Sequence, residues 1–152
     1  MKIVAADPTV RVLSEDEVLA LLKEPIVMHL GLVDGQGWPL VNPVWHVFER
    51  DVFRLVVGKT SHKAKLLRAA PRAYFAVDKG GASNDTRGVR GRAAARVIDG
   101  DVAQAEAVCR AALIKYTGSD ENDYAKEMLT WARDGSMSVV ELTPSSFRAF
   151  AY

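Results

Sequence analysis

Cysteine is almost absent. Cys109 stands alone among 152 residues, so no intrachain disulfide can form and the stapled scaffold of small secreted domains is excluded. Histidine is scarce too: His29, His46 and His62 show no metal-ligand spacing and no Cys/His cluster accompanies them, so no metal centre is expected. No apolar run approaches the ~20 residues that cross a bilayer. The first residues, MKIVAADPTVRVLSEDE, carry no cleavable apolar stretch behind Lys2, so the expectation is a cytoplasmic chain with no membrane partner. A GxSxG elbow, a Walker loop and a GxGxxG fingerprint are also missing; Gly88-Val89-Arg90-Gly91 is only a fragment of such a pattern. No nucleophile–base pair stands out.

What is present is an ordinary globular composition, 49% hydrophobic and 26% charged, fitting one domain over residues 1–152. The formal net charge of +1 conceals a division: residues 50–96 carry +9 and the remainder −8. A basic middle segment in a neutral protein implies a local anionic ligand, whereas a general nucleic-acid binder is more often basic throughout.

Ser14 and Glu17 form a capping box before a helix that Pro25 stops. Ile26–Val33 alternates as a strand with Met28, Leu30 and Leu32 on one face and His29 on the other. After the turn residues Asp34-Gly35-Gln36-Gly37, Trp38–Phe48 reads as a second strand. Pro39 and Pro43 mark it as an edge or a bulge whose free main-chain groups could meet a ligand. Strands follow at Val52–Gly58, Arg72–Asp78, Gly88–Ile98, Met137–Leu142 and Phe147–Tyr152, with an exposed loop over Lys79–Thr86. Helices are expected over 61–70, from Asp101 to about Thr117 with Gly118 at its left-handed end, and from Asn122 or Asp123 to Arg133. This order predicts a mainly β, α+β fold: an antiparallel barrel or sandwich with peripheral helices. A doubly wound sheet would need strict strand–helix alternation.

Val56–Pro71, VVGKTSHKAKLLRAAP, concentrates the chemistry. Ser61 caps the helix, other first-turn N–H groups stay unpaired, and the helix dipole adds partial positive charge there. Lys59, Lys63 and Lys65 surround the same point, so hydroxyls, amides and ammonium groups converge on a phosphate-sized volume. A phosphate site with little acid–base apparatus leaves the chemistry to a cofactor. On the 88–98 strand, Arg90, Arg92 and Arg96 share one face. They form either a polar outer surface or a face turned to an anion or a subunit interface. The strand lacks the interleaved aromatics of a nucleic-acid stacking platform, so no nucleic-acid partner is expected.

The chain resembles the flavin- and deazaflavin-binding split β-barrels related to pyridoxamine 5′-phosphate oxidase. The matching pieces are Leu32–Pro39, Asn42-Pro43-Val44-Trp45, Thr60–Leu67 with Ala70-Pro71-Arg72, Arg87–Ala93 and Val140–Pro144, in order over about residues 14 to 150. The resemblance implies a split β-barrel of about six or seven strands and a homodimer holding its cofactor between subunits. Asn42, Pro43, Val44 and Trp45 would run along a flavin ring. Val57, Gly58 and Lys59 would flank the ribityl chain, and Thr60, Ser61, Lys63 and Lys65 would surround the phosphate. Arg87 or Arg90 would approach from a neighbouring segment or subunit, while Trp45, His46 or Tyr74 would line the substrate side.

The family oxidases carry a C-terminal tail for substrate and cofactor, and this sequence stops soon after its last strand, so vitamin B6 oxidation is not expected. The resemblance implies an oxidoreductase that uses FMN or, alternatively, coenzyme F-420 to transfer a hydride to or from a small organic substrate. The same fold also accommodates a non-catalytic flavin or haem binder. No catalytic acid can be named from the residues.

Overall fold

A computed structural model of the chain describes residues 1–80 and 85–152. Its strands are β1 (Ile3–Ala5), β2 (Met28–Val33), β3 (Pro39–Val44), β4 (Val47–Glu49), β5 (Val52–Gly58), β6 (Arg72–Lys79), β7 (Arg87–Ile98), β8 (Met137–Pro144) and β9 (Phe147–Ala151). The helices are α1 (Glu15–Lys23), α2 (His62–Ala69), α3 (Val102–Thr117) and α4 (Asp123–Arg133). The strands form one sheet in the order β3-β2-β6-β7-β8-β5-β4, antiparallel at every step; β9 also pairs with β7 and takes β1 in parallel. This is the mainly antiparallel, α+β split barrel that the element order and the resemblance predict.

Each expected helix begins where its cap is written. Ser14 Oγ accepts from the Glu17 N–H while Glu17 Oε2 accepts from the Ser14 N–H at 2.8 Å, closing the capping box. Asp101 and Asn122 accept from the Gln104 and Ala125 N–H groups at 2.9 and 2.8 Å. Gly118 closes α3 at φ 75°, a conformation that costs glycine little.

The strand expected over Trp38–Phe48 divides. β3 pairs with β2 and β4 with β5, at opposite ends of the sheet order, and Trp45-His46 joins them. That division and the N-terminal β1 bring the strands to nine among the described residues, seven of them in the continuous order from β3 to β4, as expected. The expected Lys79–Thr86 loop includes residues 81–84, which lie outside the described residues; Lys79 itself ends β6.

The twelve-residue β7 has β6 on one edge and two strands in succession on the other. Arg87–Arg90 pairs with β9 and Ala93–Ile98 with β8, so the sheet splits at Gly91. Ser145 and Ser146 cross from β8 to β9 at that level, with the Ser145 N–H donating to the Arg92 carbonyl at 3.0 Å. A Cβ on Gly91 would collide with the Ser146 carbonyl oxygen and press on the Phe75 ring at 3.1 Å.

Inside the barrel Phe53, Phe75 and Phe147 meet with ring centroids 5.0 to 6.1 Å apart. A second core lies between α3, α4 and the sheet and contains Cys109, Leu113, Leu129 and Val139. Cys109 is thus a small core residue, as expected, and burial pushes its thiol pKa up.

Gly91→Ala tests the split. The added methyl must part β7 from the 145–146 crossover, so a loss of about 1–3 kcal/mol or more is expected, read as a lower urea midpoint.

Candidate functional site

The β5–α2 turn is built as the sequence predicts. Ser61, in extended conformation, accepts from the Ala64 N–H at 3.3 Å, and its own N–H donates to the Gly58 carbonyl at 3.0 Å. The Lys65 N–H donates to the Ser61 carbonyl at 3.1 Å, leaving the His62 and Lys63 N–H groups without an acceptor among the described residues. These are the groups that accept an anion at a helix start.

Arg68 does not join them, because its guanidinium braces the turn from beneath. It donates to the Lys59 carbonyl at 3.0 Å and to Asp99 at 2.7 Å, and Asp99 also accepts from Ser138 Oγ. Hydrogen bonds from Arg68 and Ser138 hold the Asp99 carboxyl below its ordinary pKa. Lys59, Lys63 and Lys65 have no carboxylate within ion-pair distance among the described residues.

Beside the turn lies a cavity of about 390 Å³. Pro43, Val44, Trp45, Val57 and Lys63 line it, five of the residues expected at the cofactor. Gly58, Lys59, Thr60 and Ser61 continue from Val57 to Lys63 as the turn itself, and Asn42 precedes Pro43 on β3. Lys65 is exposed on the first turn of α2. The far wall comes from α3 and α4 through Cys109, Ala112, Tyr124 and Met128, which sequence reasoning did not assign to a site. No local pattern marks them; only the packing of the two helices on β5 and β8 brings them there.

Arg87 and Arg90 do not reach this cavity within one chain. Arg87 lies 3.5 Å from Glu24 and 3.4 Å from Asp85, in a cluster that includes Lys79. Arg90 faces outward from β7 into a different cavity. Of the three side chains expected on the substrate side, Trp45 alone lines the 390 Å³ cavity; Tyr74 lies on the outer face of β6 and His46 is fully buried.

His46 is held by two residues of α3. Lys115 Nζ lies 3.1 Å from Nε2, and Tyr116 Oη lies 3.0 Å from Nδ1. An ammonium can only donate, so Nε2 accepts, which assigns the ring proton to Nδ1 and directs it at Tyr116 Oη. Tyr116 in turn donates to the Ile26 carbonyl at 2.8 Å, and Lys115 also donates to the Leu22 and His46 carbonyls. The Tyr116 ring stacks on Trp45 at 4.9 Å and 1°, fixing the indole that walls the cavity. Burial drives the His46 pKa down to about 3, with the Lys115 charge adding to the shift; burial likewise lowers Lys115 to about 8 and raises Tyr116 to about 12.

These features define a class: a split barrel whose sheet-to-helix turn can take an anion next to an aromatic-walled cavity. The family model for pyridoxamine 5′-phosphate oxidase matches residues 14–151, and the chain belongs to that family. Among curated proteins none matches the sequence. Among solved structures, the conserved hypothetical protein Rv2991 from Mycobacterium tuberculosis is similar at a TM-score of 0.80 and 21% identity, over 95% of this chain and 88% of that one. An F420 reductase is similar at 0.63 and 20%, over 84% and 93% of the two chains. The haem storage protein HutZ from Vibrio cholerae is similar at 0.66 and 16%, over 90% and 93%. At these identities the likeness is one of fold.

The buried imidazole predicts an acid-sensitive fold. An unfolded chain takes up a proton near the ordinary pKa of 6.5, whereas folded His46 resists it down to about 3. The contribution of His46 to stability is therefore constant above about pH 6.5 and falls as pH drops below it. Urea unfolding at pH 7.5 and 5 should show this loss, and a His46→Gln variant should show a smaller one.

Proposed function

We propose that the protein is an oxidoreductase that binds FMN, or alternatively coenzyme F-420, with the cofactor phosphate on the β5–α2 turn and the ring along Asn42–Trp45. The observation that carries this reading is the position of Lys63, which belongs both to the anion-accepting first turn and to the lining of the aromatic cavity. A ligand with a phosphate at one end and a flat ring at the other fits that juxtaposition. Unpaired N–H groups and lysines meet its charge, while Val44, Trp45 and Val57 meet its apolar part.

The bound ring would supply the hydride chemistry. The chain's own contribution is binding and orientation. The Ser61 turn anchors one end, the main chain of β3 aligns the other, and Trp45, locked against Tyr116, excludes water from one side.

Cofactor binding tests this directly. Purified protein offered FMN and F-420 separately should bind one tightly, and a Lys63→Ala, Lys65→Ala variant should lose about tenfold or more in affinity for each contact removed. If neither binds, the proposal fails. Turnover of the loaded protein with a reduced cofactor separates an oxidoreductase from a non-catalytic binder.

The proposal includes a homodimer in the cytoplasm with the site completed between subunits. The outer face of β3 and β2 supports this reading, because Val33 and Val41 are 58% and 67% exposed there. Val41→Asp should convert the dimer to monomer in sedimentation equilibrium and weaken cofactor binding with it. A variant that stays dimeric with full affinity would exclude this face.

A further inference from the structure

The outer face of the sheet carries a second cationic place, which the function proposed above does not use. β7 and β9 pair so that Arg90 stands directly opposite Arg148, and β6 and β7 pair so that Arg92 stands opposite Tyr74. Arg90, Arg92 and Arg148, with Tyr74, Ser145 and Ser146, line a cavity of about 420 Å³. Like charges directly opposite in an antiparallel pair destabilise it. Elsewhere on this sheet the register prevents that: Glu141 stands opposite both Arg54 and Arg96 and bonds to them at 3.1 and 2.7 Å. Here no carboxylate lies within ion-pair distance of the three arginines among the described residues. The nearby Asp7 is engaged by the Thr9 N–H and hydroxyl at 3.0 and 2.7 Å, and Arg90 is the weakest influence on its acidity.

We infer that this cavity is a binding site for a small phosphate monoester, distinct from the β5–α2 turn. Three guanidinium groups from two strands offer more donors than a single carboxylate can accept, whereas a phosphate carries three terminal oxygens and up to two charges. Ser146 adds a hydroxyl, while the Ser145 hydroxyl already donates to the Arg92 carbonyl at 3.3 Å. The floor is rigid, since Gly91 lets the Ser145–Ser146 crossover pack against β7 closely enough to exclude a side chain. Tyr74, 41% exposed, gives the ligand's organic part a ring face. It is also shared with a neighbouring apolar groove that Val41, Leu66 and Ala73 line. The inference rests on the sheet register and does not depend on the cofactor reading.

Calorimetric titration with phenyl phosphate, inorganic phosphate and, as an uncharged control, phenol tests it at low salt. Wild type should bind phenyl phosphate more tightly than inorganic phosphate, and phenol not measurably. Lys63→Ala, Lys65→Ala removes phosphate binding at the β5–α2 turn and should leave the second site intact, and in that background Arg92→Gln, Arg148→Gln should weaken both phosphates about tenfold or more. FMN or F-420 affinity should respond in the opposite way to the two variants. Far-UV circular dichroism checks that the exposed arginine substitutions keep the fold. The inference is overturned if wild type binds neither phosphate, if the arginine substitutions leave phosphate binding in the lysine background unchanged, or if the lysine variant abolishes binding. It is equally overturned if the arginine variant loses the cofactor along with phosphate, or if an oligonucleotide binds there and phenyl phosphate does not.

Discussion

His46 has no solvent exposure, yet it sits where the chain leaves one end of the sheet and enters the other. A two-residue link between β3 and β4 brings the two ends of the sheet order together, and the curl of the barrel requires a sharp departure from the strand at that point. A buried imidazole is costly unless both nitrogens are paired. Lys115 and Tyr116 supply the partners and, through the Leu22 and Ile26 carbonyls, tie α3 to the end of α1 and the entry to β2. The same arrangement lays Tyr116 flat on Trp45. Fold closure and the aromatic wall of the cavity are therefore one arrangement: loosening it would open the barrel and release the indole together.

The second organising constraint is register. The basic middle of the chain is not uniformly basic in three dimensions, because pairing decides which charges are cancelled. Arg54, Arg68, Lys79, Arg87 and Arg96 all find carboxylates, most of them on acids far outside the segment. Apart from Arg50 in the β4–β5 turn, the segment's cations left without such partners among the described residues collect in two places, the start of α2 and the outer face around Arg72, Arg90 and Arg92. A net charge of +9 over residues 50–96 pointed to an anion, but the division between two surfaces depends on which residues stand opposite one another.

What could be read in the sequence is what local chemistry decides. Ser14, Ser61, Asp101 and Asn122 each cap the helix that follows, since a cap needs only residues three positions away. The alternation of β7 sorted Val89 and Ala93 from Arg90 and Arg92 for the same reason. The division of Trp38–Phe48 was beyond reach, although Pro43 hinted at an irregularity, because the groups that hold His46 lie about 70 positions later. The Cys109–Met128 wall was invisible for a similar reason: its residues are ordinary helix residues until two helices pack on β5 and β8. Arg87 and Arg90, adjacent in motif, part because they stand on opposite faces of the strand, one toward Glu24 and the other toward Arg148.

The two halves of the candidate site do different physical work. The lysines are long, mobile point charges that favour any anion and impose little geometry. The turn is the opposite. Arg68 fixes the Lys59 carbonyl, the Lys59 N–H is held by the Ser136 carbonyl at 2.8 Å, and Ser61 fixes Ala64, so the free His62 and Lys63 N–H groups point where they do before a ligand arrives. A preorganised acceptor loses less entropy on binding than one that must order itself. Discrimination between phosphates should then come from the turn and from the shape of the Trp45 wall, and overall affinity from the lysines. In the proposed site Arg68, whose hydrogen bonds run to the Lys59 carbonyl and Asp99, would act on selectivity through the turn, and the lysines on affinity.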